Sequence, residues 1–201
     1  MLDRFALKLV KPAVDATAAR LAARGITADQ VTLAGFALGM LAAVLVASGH
    51  YLVALLPLIA NRVLDGIDGA LARLSTSSER GAFLDISLDF VFYAAIPLAF
   101  GVAAPAENAL AAAVLLAAFV VTGTSFLAFA VLAEKRGLKS TDYPSKAFYY
   151  LGGLTEGTET ILCFLAMCVW PQHFATLAYS YAALCALTAA TRLHAGWKAF
   201  G

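Results

Sequence analysis

The sequence predicts an all-α integral membrane protein with six transmembrane helices, an N-terminal amphipathic juxtamembrane helix and both termini in the cytoplasm. Three observations predict it: the composition, a series of long apolar runs and the one-sided placement of Lys and Arg. Of the 201 residues, 62% are apolar or aromatic and 13% are charged, whereas a soluble domain has about 25% charged residues. One core of this size cannot hide so many apolar side chains. The composition therefore excludes a soluble enzyme, a disordered chain and a disulfide-rich secreted module.

Residues 1–25 are predicted to form an amphipathic helix on the cytoplasmic surface of the membrane. Leu2, Phe5 and Leu9 recur at helical spacing, while basic residues such as Lys8 take the other face. The apolar residues are spread along the segment rather than collected in one block, so the segment is not a signal peptide. A disordered basic tail is the alternative interpretation.

Residues 26–201 are predicted to form one transmembrane domain. Six apolar runs have about 20 residues each, the length that a helix needs to cross the hydrocarbon core of a bilayer. Clusters of Gly, Pro and polar residues separate the runs. The predicted spans are 31–48, 51–74, 82–102, 108–133, 148–170 and 174–195.

The positive charges predict the orientation of these spans. Apart from Arg62, every Lys and Arg lies in the N-terminal segment, at the C-terminal end, or beside the second-to-third or fourth-to-fifth connection. The other three connections contain no Lys or Arg. By the positive-inside rule, the basic connections and both termini face the cytoplasm. In a bacterium the protein would lie in the inner membrane.

Four aspartates lie inside the second and third predicted spans, where a charge at the bilayer centre costs at least about 2.5–3.5 kcal/mol. Asp65 and Asp68 are three residues apart and Asp85 and Asp89 are four apart, so each pair shares one helix face. A short connection makes the two helices antiparallel neighbours. We therefore expect one carboxylate cluster just inside the cytoplasmic face.

Such a cluster requires cations to remain charged, and carboxylate oxygens suit Mg²⁺ or Mn²⁺ better than zinc. Gly69 and Ala72 share the face of the first acid pair and leave room for a ligand. Gly81 lies at the turn into the third span, and Arg73 supplies a planar donor for a phosphate. These residues predict a diphosphate-containing substrate at the cytoplasmic surface.

Two other interpretations of the aspartates are open. They could form buried ion pairs with Arg62, Arg73 and Arg80, although three arginines cannot neutralise four close carboxylates. They could instead belong to a divalent cation or proton transporter, since transporters also use intramembrane acids. Transporter sites usually lie nearer the midplane between two opposed halves, and the sequence has no matching second half.

Residues 65–89 carry a motif that points to a known family. They read DGIDGALARLSTSSERGAFLDISLD. This resembles the signature of the class I CDP-alcohol phosphotransferases, D-x2-D-G-x2-A-R-x(7 or 8)-G-x3-D-x3-D, and the chain looks similar to phosphatidylglycerophosphate synthases. The fixed positions are filled by Asp65, Asp68, Gly69, Ala72, Arg73, Gly81, Asp85 and Asp89. Upstream, residues 28–32 (ADQVT) depart from the Pro-Asn-x-x-Thr often found in the family but keep Thr32.

The resemblance implies a metal-dependent transferase of phospholipid biosynthesis. A CDP-linked donor, usually CDP-diacylglycerol, would pass its substituted phosphoryl group to an alcohol and release CMP. The metal ligands implied for one or two Mg²⁺ or Mn²⁺ ions are Asp65, Asp68, Asp85 and Asp89, and Asp89 would also be the catalytic base. The implied CDP- and diphosphate-binding residues are Asp65, Asp68, Gly69, Ala72, Arg73, Gly81 and Thr32.

The acceptor pocket is predicted from the later spans. Lys139, Lys146 and Arg192 are candidates to bind an acceptor phosphate, and Glu156 is a candidate because a carboxylate about ten residues into the fifth span is costly. Glycerol 3-phosphate is the first acceptor expected. Another polyol or amino alcohol, or a CDP-linked head group with diacylglycerol as acceptor, is the alternative. The resemblance also implies a homodimer in membrane lipid, and no nucleic-acid partner is expected.

Overall fold

The computed structural model describes residues 3–74, 78–137 and 153–201, with side chains from Lys11 onward. Every regular element in these ranges is helical, which confirms the predicted all-α class. A 3₁₀ turn, Pro171–His173, precedes the last helix. The α-helices in chain order are α1 Asp3–Ala22, α2 Ala28–Ala47, α3 Tyr51–Leu74, α4 Glu79–Ala103, α5 Pro105–Lys135, α6 Gly157–Val169 and α7 Phe174–Phe200.

Local sequence signals explain where the site-bearing helices begin. Gly25 ends the turn after α1 with φ +76°, a conformation that favours glycine. Thr27 and Gln30 then form a reciprocal capping box at the start of α2. Ser78 caps α4 by accepting a hydrogen bond from the backbone N–H of Gly81, at 3.0 Å. The first turns of α2 and α4 lie at the same end of the molecule, where Arg80 pairs with Asp29.

Among the described residues, four segments are long and apolar enough to cross a membrane: α2, α4, α5 and Pro171–Phe200. Large apolar side chains on the outer surface, including Leu56, Leu110 and Trp197, are exposed. This arrangement fits lipid as the surrounding solvent. The chain is therefore an integral membrane protein, whereas the full set of six spans stays a prediction.

The second and fifth predicted spans differ most from an uninterrupted apolar helix of membrane-spanning length. α3 covers the second span but carries Arg62 and two aspartates within its membrane-length stretch. α6 has 13 residues and a length of only about 20 Å, whereas a bilayer core is about 30 Å thick. Residues 153–156 before it are not helical. Within the described residues, the helix of the predicted span 148–170 therefore begins only at Gly157.

The main apolar core is built around aromatic rings from several helices. Phe100 stacks between Tyr51 and Phe174, with ring centroids 5.3 and 4.5 Å away. Phe164 of α6 meets Phe92 edge to face at 6.1 Å. Such pairs add specific geometry to burial of apolar area. This core lies beyond the acidic residues of α3 and α4 and extends to the opposite end of these helices.

α1 packs against protein rather than lying alone on lipid. Val14, Ala18 and Leu21 form a small apolar cluster with Ile67 and Leu71 of α3. The helix predicted for residues 1–25 is therefore present, but its described apolar face is covered by α3. Hydrophobic spacing alone does not distinguish a lipid surface from a neighbouring helix.

Candidate active site

Three of the four predicted aspartates converge from α3 and α4, which both pack against α2. Carboxylate oxygens of Asp65, Asp68 and Asp85 all lie within 4.8 Å of one another. Asp89, one turn further along α4, lines the same pocket. The pocket is partly open to solvent and also has walls from α2. α3 and α4 make little direct contact, so the packing of α2 against both helices, rather than the direct α3–α4 packing that the short connection predicts, brings the two acid pairs together.

Thr32 joins α2 to the acidic pocket. Its hydroxyl donates a hydrogen bond to Oδ2 of Asp68 at 2.6 Å. The same oxygen atom of Thr32 lies 3.1 Å from the carbonyl of Ala28. Asp68 is only 6% exposed, so this bond orients the most deeply buried of the three clustered carboxylates. A hydrogen bond to an ionised group is stronger than a neutral one.

Arg62 is the arginine that reaches the acids from within α3. Its Nη2 atom forms an ion pair with Oδ2 of Asp65, and its Nη1 atom donates to the Tyr93 hydroxyl at 3.2 Å. The guanidinium also interacts electrostatically with Asp68 and Asp89. The Arg62 guanidinium therefore lies at the edge of the four carboxylates.

Arg73 and Arg80 face other acids than the cluster. Nη2 of Arg73 lies 3.9 Å from Oδ1 of Asp15 on α1, and more than half of the arginine side chain is exposed. Arg80 binds Asp29 through both Nε and Nη2. The ion-pair interpretation of the aspartates therefore applies to Arg62 and Asp65, and not to these two arginines.

The small residues predicted beside the acids have different surroundings. A Cβ atom placed on Gly69 would lie 3.6 Å from Nη1 of Arg73, which is an ordinary contact. A Cβ atom on Gly81 would lie 3.0 Å from Oδ1 of Asp29 and 3.1 Å from the Ser78 hydroxyl. Gly81 therefore lies in a tight contact with the side chains of Asp29 and Ser78, whereas Gly69 leaves a partly exposed surface next to Ala72.

Asn61 is a pocket residue that sequence reasoning missed. Its side-chain amide donates to the backbone carbonyl of Gly35 at 2.9 Å. Because that carbonyl can only accept, the amide orientation is determined and the oxygen faces the other way. The residue is 6% exposed, and its Oδ1 atom has no hydrogen-bond partner among the residues that the structure describes. An Asn inside an apolar run, four residues before Asp65, was the available signal.

The predicted acceptor residues form or border a second polar region. Glu156 and Arg192 are both buried, and Arg192 donates to the carbonyl and hydroxyl oxygens of Thr122, at 3.1 and 3.0 Å. Glu156 accepts from the backbone N–H of Gly153 at 3.1 Å. It directly precedes α6, so its predicted place ten residues inside a helix is wrong. Lys139 and Lys146 lie outside the described residues.

Tyr93 links the acidic pocket to this second region. Its hydroxyl accepts from Arg62 on one side, and it lies 3.5 Å from the position that a Cβ atom would take on Gly157. Gly157 is the first residue of α6, next to Glu156. A molecule that contacts Asp89 could therefore reach residues of both α3 and α6.

The donor set of the pocket fits a hard divalent cation. The three converging groups are carboxylates, and Asn61 adds a neutral amide oxygen to the pocket lining. Mg²⁺ and Mn²⁺ prefer such oxygen ligands, whereas zinc prefers His and Cys. The three cysteines lie in α6 and α7, in the part of the chain away from this pocket.

Solved structures share this fold. A crystal structure of phosphatidylinositol phosphate synthase from Mycobacterium tuberculosis with CDP-DAG bound superposes with a TM-score of 0.69 at 22% identity, covering 92% of this chain and 93% of the other. A structure of the same enzyme with manganese and citrate gives a TM-score of 0.71 at 23% identity, covering 92% and 88%. At this identity the similarity concerns the fold.

Sequence comparison gives the family. Inner membrane protein YnjF of Escherichia coli (strain K12) is 52% identical over 197 residues, which cover 98% of this chain and 96% of that protein. The sequence model of CDP-alcohol phosphatidyltransferases matches residues 25–193, a range that contains the acidic pocket and all its walls. The chain is therefore a transferase that belongs to the CDP-alcohol phosphatidyltransferase family.

Proposed function

We propose that the protein transfers a phosphatidyl group from CDP-diacylglycerol to a water-soluble alcohol and releases CMP. The observation that carries the proposal is the convergence of Asp65, Asp68 and Asp85 in one pocket with Asp89. Glycerol 3-phosphate is the first acceptor proposed. Another polyol or amino alcohol, or a CDP-linked head group with diacylglycerol as acceptor, is the alternative within the same chemistry.

The acid cluster would hold the metal and the diphosphate of the donor. Asp65, Asp68 and Asp85 would bind one or two Mg²⁺ or Mn²⁺ ions, with Asp89 at the edge of the cluster. Bound divalent ions neutralise charge on a diphosphate and on the leaving CMP. Thr32 orients Asp68 through its 2.6 Å hydrogen bond, so α2 contributes to this function through a side chain that needs no direct substrate contact.

The nucleotide would lie on the face of α3 that carries Gly69 and Ala72. Both residues are partly exposed, and a small side chain lets a ligand approach the helix backbone. Arg73 extends from the same end of α3 and could turn from Asp15 toward a phosphate, because their 3.9 Å ion pair is exposed and weak. Gly81 would act by allowing α2 and α4 to approach.

Asp89 would be the general base of the transfer. It would take the proton from the acceptor hydroxyl while that oxygen attacks the phosphorus of the lipid-side phosphate. The bond between this phosphorus and the oxygen of the departing CMP then breaks. Asp89 suits this role because it lies deeper along α4 than Asp85 and lines the same pocket.

The acceptor would approach from the side of Tyr93 and α6. Glu156 and Arg192 are proposed to shape this side, and Lys139 and Lys146 to attract an acceptor phosphate. Arg192 already donates two hydrogen bonds to Thr122, so we expect it to act by holding α5 and α7 together around the pocket. We also propose that the protein forms a homodimer and that the site faces the cytoplasm.

A CMP-release assay tests this function. The purified protein in lipid nanodiscs is incubated with CDP-diacylglycerol, Mn²⁺ or Mg²⁺ and single acceptors, and both CMP and the lipid product are measured. We expect release with glycerol 3-phosphate or another soluble alcohol, and reversible loss of turnover on chelation. Metal-independent turnover would remove the ions from the proposal. Absence of CMP with every donor and acceptor pair, together with cation flux in liposomes, would favour the transporter alternative.

Asp89→Asn tests the base directly. The variant keeps the size of the side chain but cannot take a proton, so we expect CMP release to fall by about 100-fold or more while the CDP-linked donor still binds. Glu107→Gln is the matched control, because it also neutralises one acid but lies in the first turn of α5. Full turnover by Asp89→Asn would disprove the assignment.

A further inference from the structure

We propose that Arg62 is a positioning residue that competes with the divalent cation for Asp65. In the metal-free protein it holds this carboxylate, and cation binding displaces it. The proposal rests on the proposed function only in requiring that the acid cluster binds a divalent ion. It concerns a residue of α3 that lies outside the eight-position motif.

The first argument is the contact itself. Nη2 of Arg62 is paired with Oδ2 of Asp65, three residues later on the same helix face, and the arginine side chain is 28% exposed. A carboxylate oxygen that is paired with a guanidinium has less negative charge to offer a metal. The cation and Arg62 therefore compete for the same carboxylate, that of Asp65.

The second argument is the charge of the surroundings. Arg62 interacts electrostatically with Asp68 and Asp89 as well, so it offsets part of the repulsion among four acids. Without a metal, the Arg62 guanidinium helps to stabilise the cluster. Once a doubly charged ion lies among oxygens that are within 4.8 Å of each other, the guanidinium beside it is repelled, because like charges at such distances in a poorly hydrated site interact strongly.

The third argument is that Arg62 has a second anchor. Its Nη1 atom donates to the Tyr93 hydroxyl on α4 at 3.2 Å. This bond does not involve the acid cluster, so it can remain when Asp65 is taken by the metal. Arg62 can therefore leave Asp65 without leaving the pocket wall.

These arguments predict opposite effects on stability and on metal binding. Removing the charge should destabilise the metal-free protein and should strengthen cation binding. A residue that only supported the structure would weaken both properties when removed. This difference in sign separates competition from a purely structural role.

The experiment measures Mn²⁺ affinity without turnover. Purified Arg62→Gln, wild type and a control, Arg80→Gln, are placed in nanodiscs of uncharged lipid, and free Mn²⁺ is followed by electron paramagnetic resonance. Arg80→Gln is matched because it also removes an arginine from an Arg–Asp pair, with Asp29. We expect Arg62→Gln to bind Mn²⁺ about tenfold more tightly than wild type, with a lower metal-free melting temperature and a larger upward shift on Mn²⁺ addition.

Unchanged or weaker Mn²⁺ binding by folded Arg62→Gln would overturn the inference about Arg62. If the wild type still binds Mn²⁺ in that case, the metal part of the proposed function stands. Loss of Mn²⁺ binding in every protein tested would overturn both. If Arg62→Gln does not fold, the proposal is tested by modifying the arginines of the wild-type protein with phenylglyoxal. Mass spectrometry should then detect several-fold faster modification of Arg62 with Mn²⁺ than without it, relative to Arg80, and an equal or slower rate would overturn the proposal.

Discussion

Thr32 connects α2 to the acid cluster through one hydrogen bond, and its effect can be isolated. Thr32→Val keeps the shape of the side chain but removes the donor to Oδ2 of Asp68. We expect Mn²⁺ affinity to fall by about tenfold, because partners that orient a metal ligand commonly contribute this much. Thr32→Ser keeps the hydroxyl and should bind Mn²⁺ like the wild type. Equal affinity of the Val variant would show that Asp68 needs no orienting partner.

The contact between Thr32 and Asp68 could not be predicted from the sequence. The family resemblance placed Thr32 near the CDP group, but nothing in the local sequence pairs it with an acid 36 positions later. Asn61 was missed for the same reason, since its partner Gly35 lies 26 positions earlier. Residue types in a membrane span indicate that a polar site exists, whereas their partners depend on which helices touch.

The close contact of α2 with α4 depends on Gly39. A Cβ atom there would lie 2.7 Å from Cδ2 of Phe92 and 3.1 Å from the amide nitrogen of Asn61. We expect Gly39→Ala to lower the free energy of unfolding by about 1–3 kcal/mol, because a tightly packed core has no room for the added methyl. Unfolding in mixed detergent, followed by circular dichroism, measures the change.

Gly196→Ala in α7 is the control for this packing prediction. A Cβ atom at this position would lie 3.5 Å from the Phe129 ring, an ordinary contact. The substitution should therefore be neutral or slightly stabilising, since Ala is favoured over Gly within a helix by about 0.5–1 kcal/mol. Equal losses for both variants would mean that the α2–α4 contact does not limit stability.

The start of α6 explains why the fifth predicted span differs at the level of elements. The backbone N–H of Gly153 is bound by Glu156, and that of Leu154 by the Thr188 hydroxyl at 3.2 Å. Side chains can thus satisfy a non-helical backbone inside a membrane protein. Hydropathy adds up apolar residues and contains no information about such bonds, so the predicted helix runs through residues 153–156, which are not helical.

Orientation is a property of the whole molecule, and the distribution of Lys and Arg predicts it. In a chain whose three cysteines are replaced by Ala, we expect a membrane-impermeant maleimide added outside intact bacteria to label Gln172→Cys and not Glu134→Cys. Both positions are exposed, and they lie at opposite ends of the helices. Disrupted cells should label both, and labelling of only Glu134→Cys in intact cells would reverse the proposed topology.

The sequence by itself determined the membrane class, the helical architecture and the two acid pairs, because hydropathy and helical spacing act over neighbouring residues. The eight-position motif also determined the family before the helices were assembled. Only the tertiary structure decided that α1 is covered by α3, that Arg62 contacts Tyr93 across 31 positions and that Arg80 pairs with Asp29 rather than with the cluster. These contacts depend on which helix faces meet. That choice reflects packing over the whole chain, which no local pattern records.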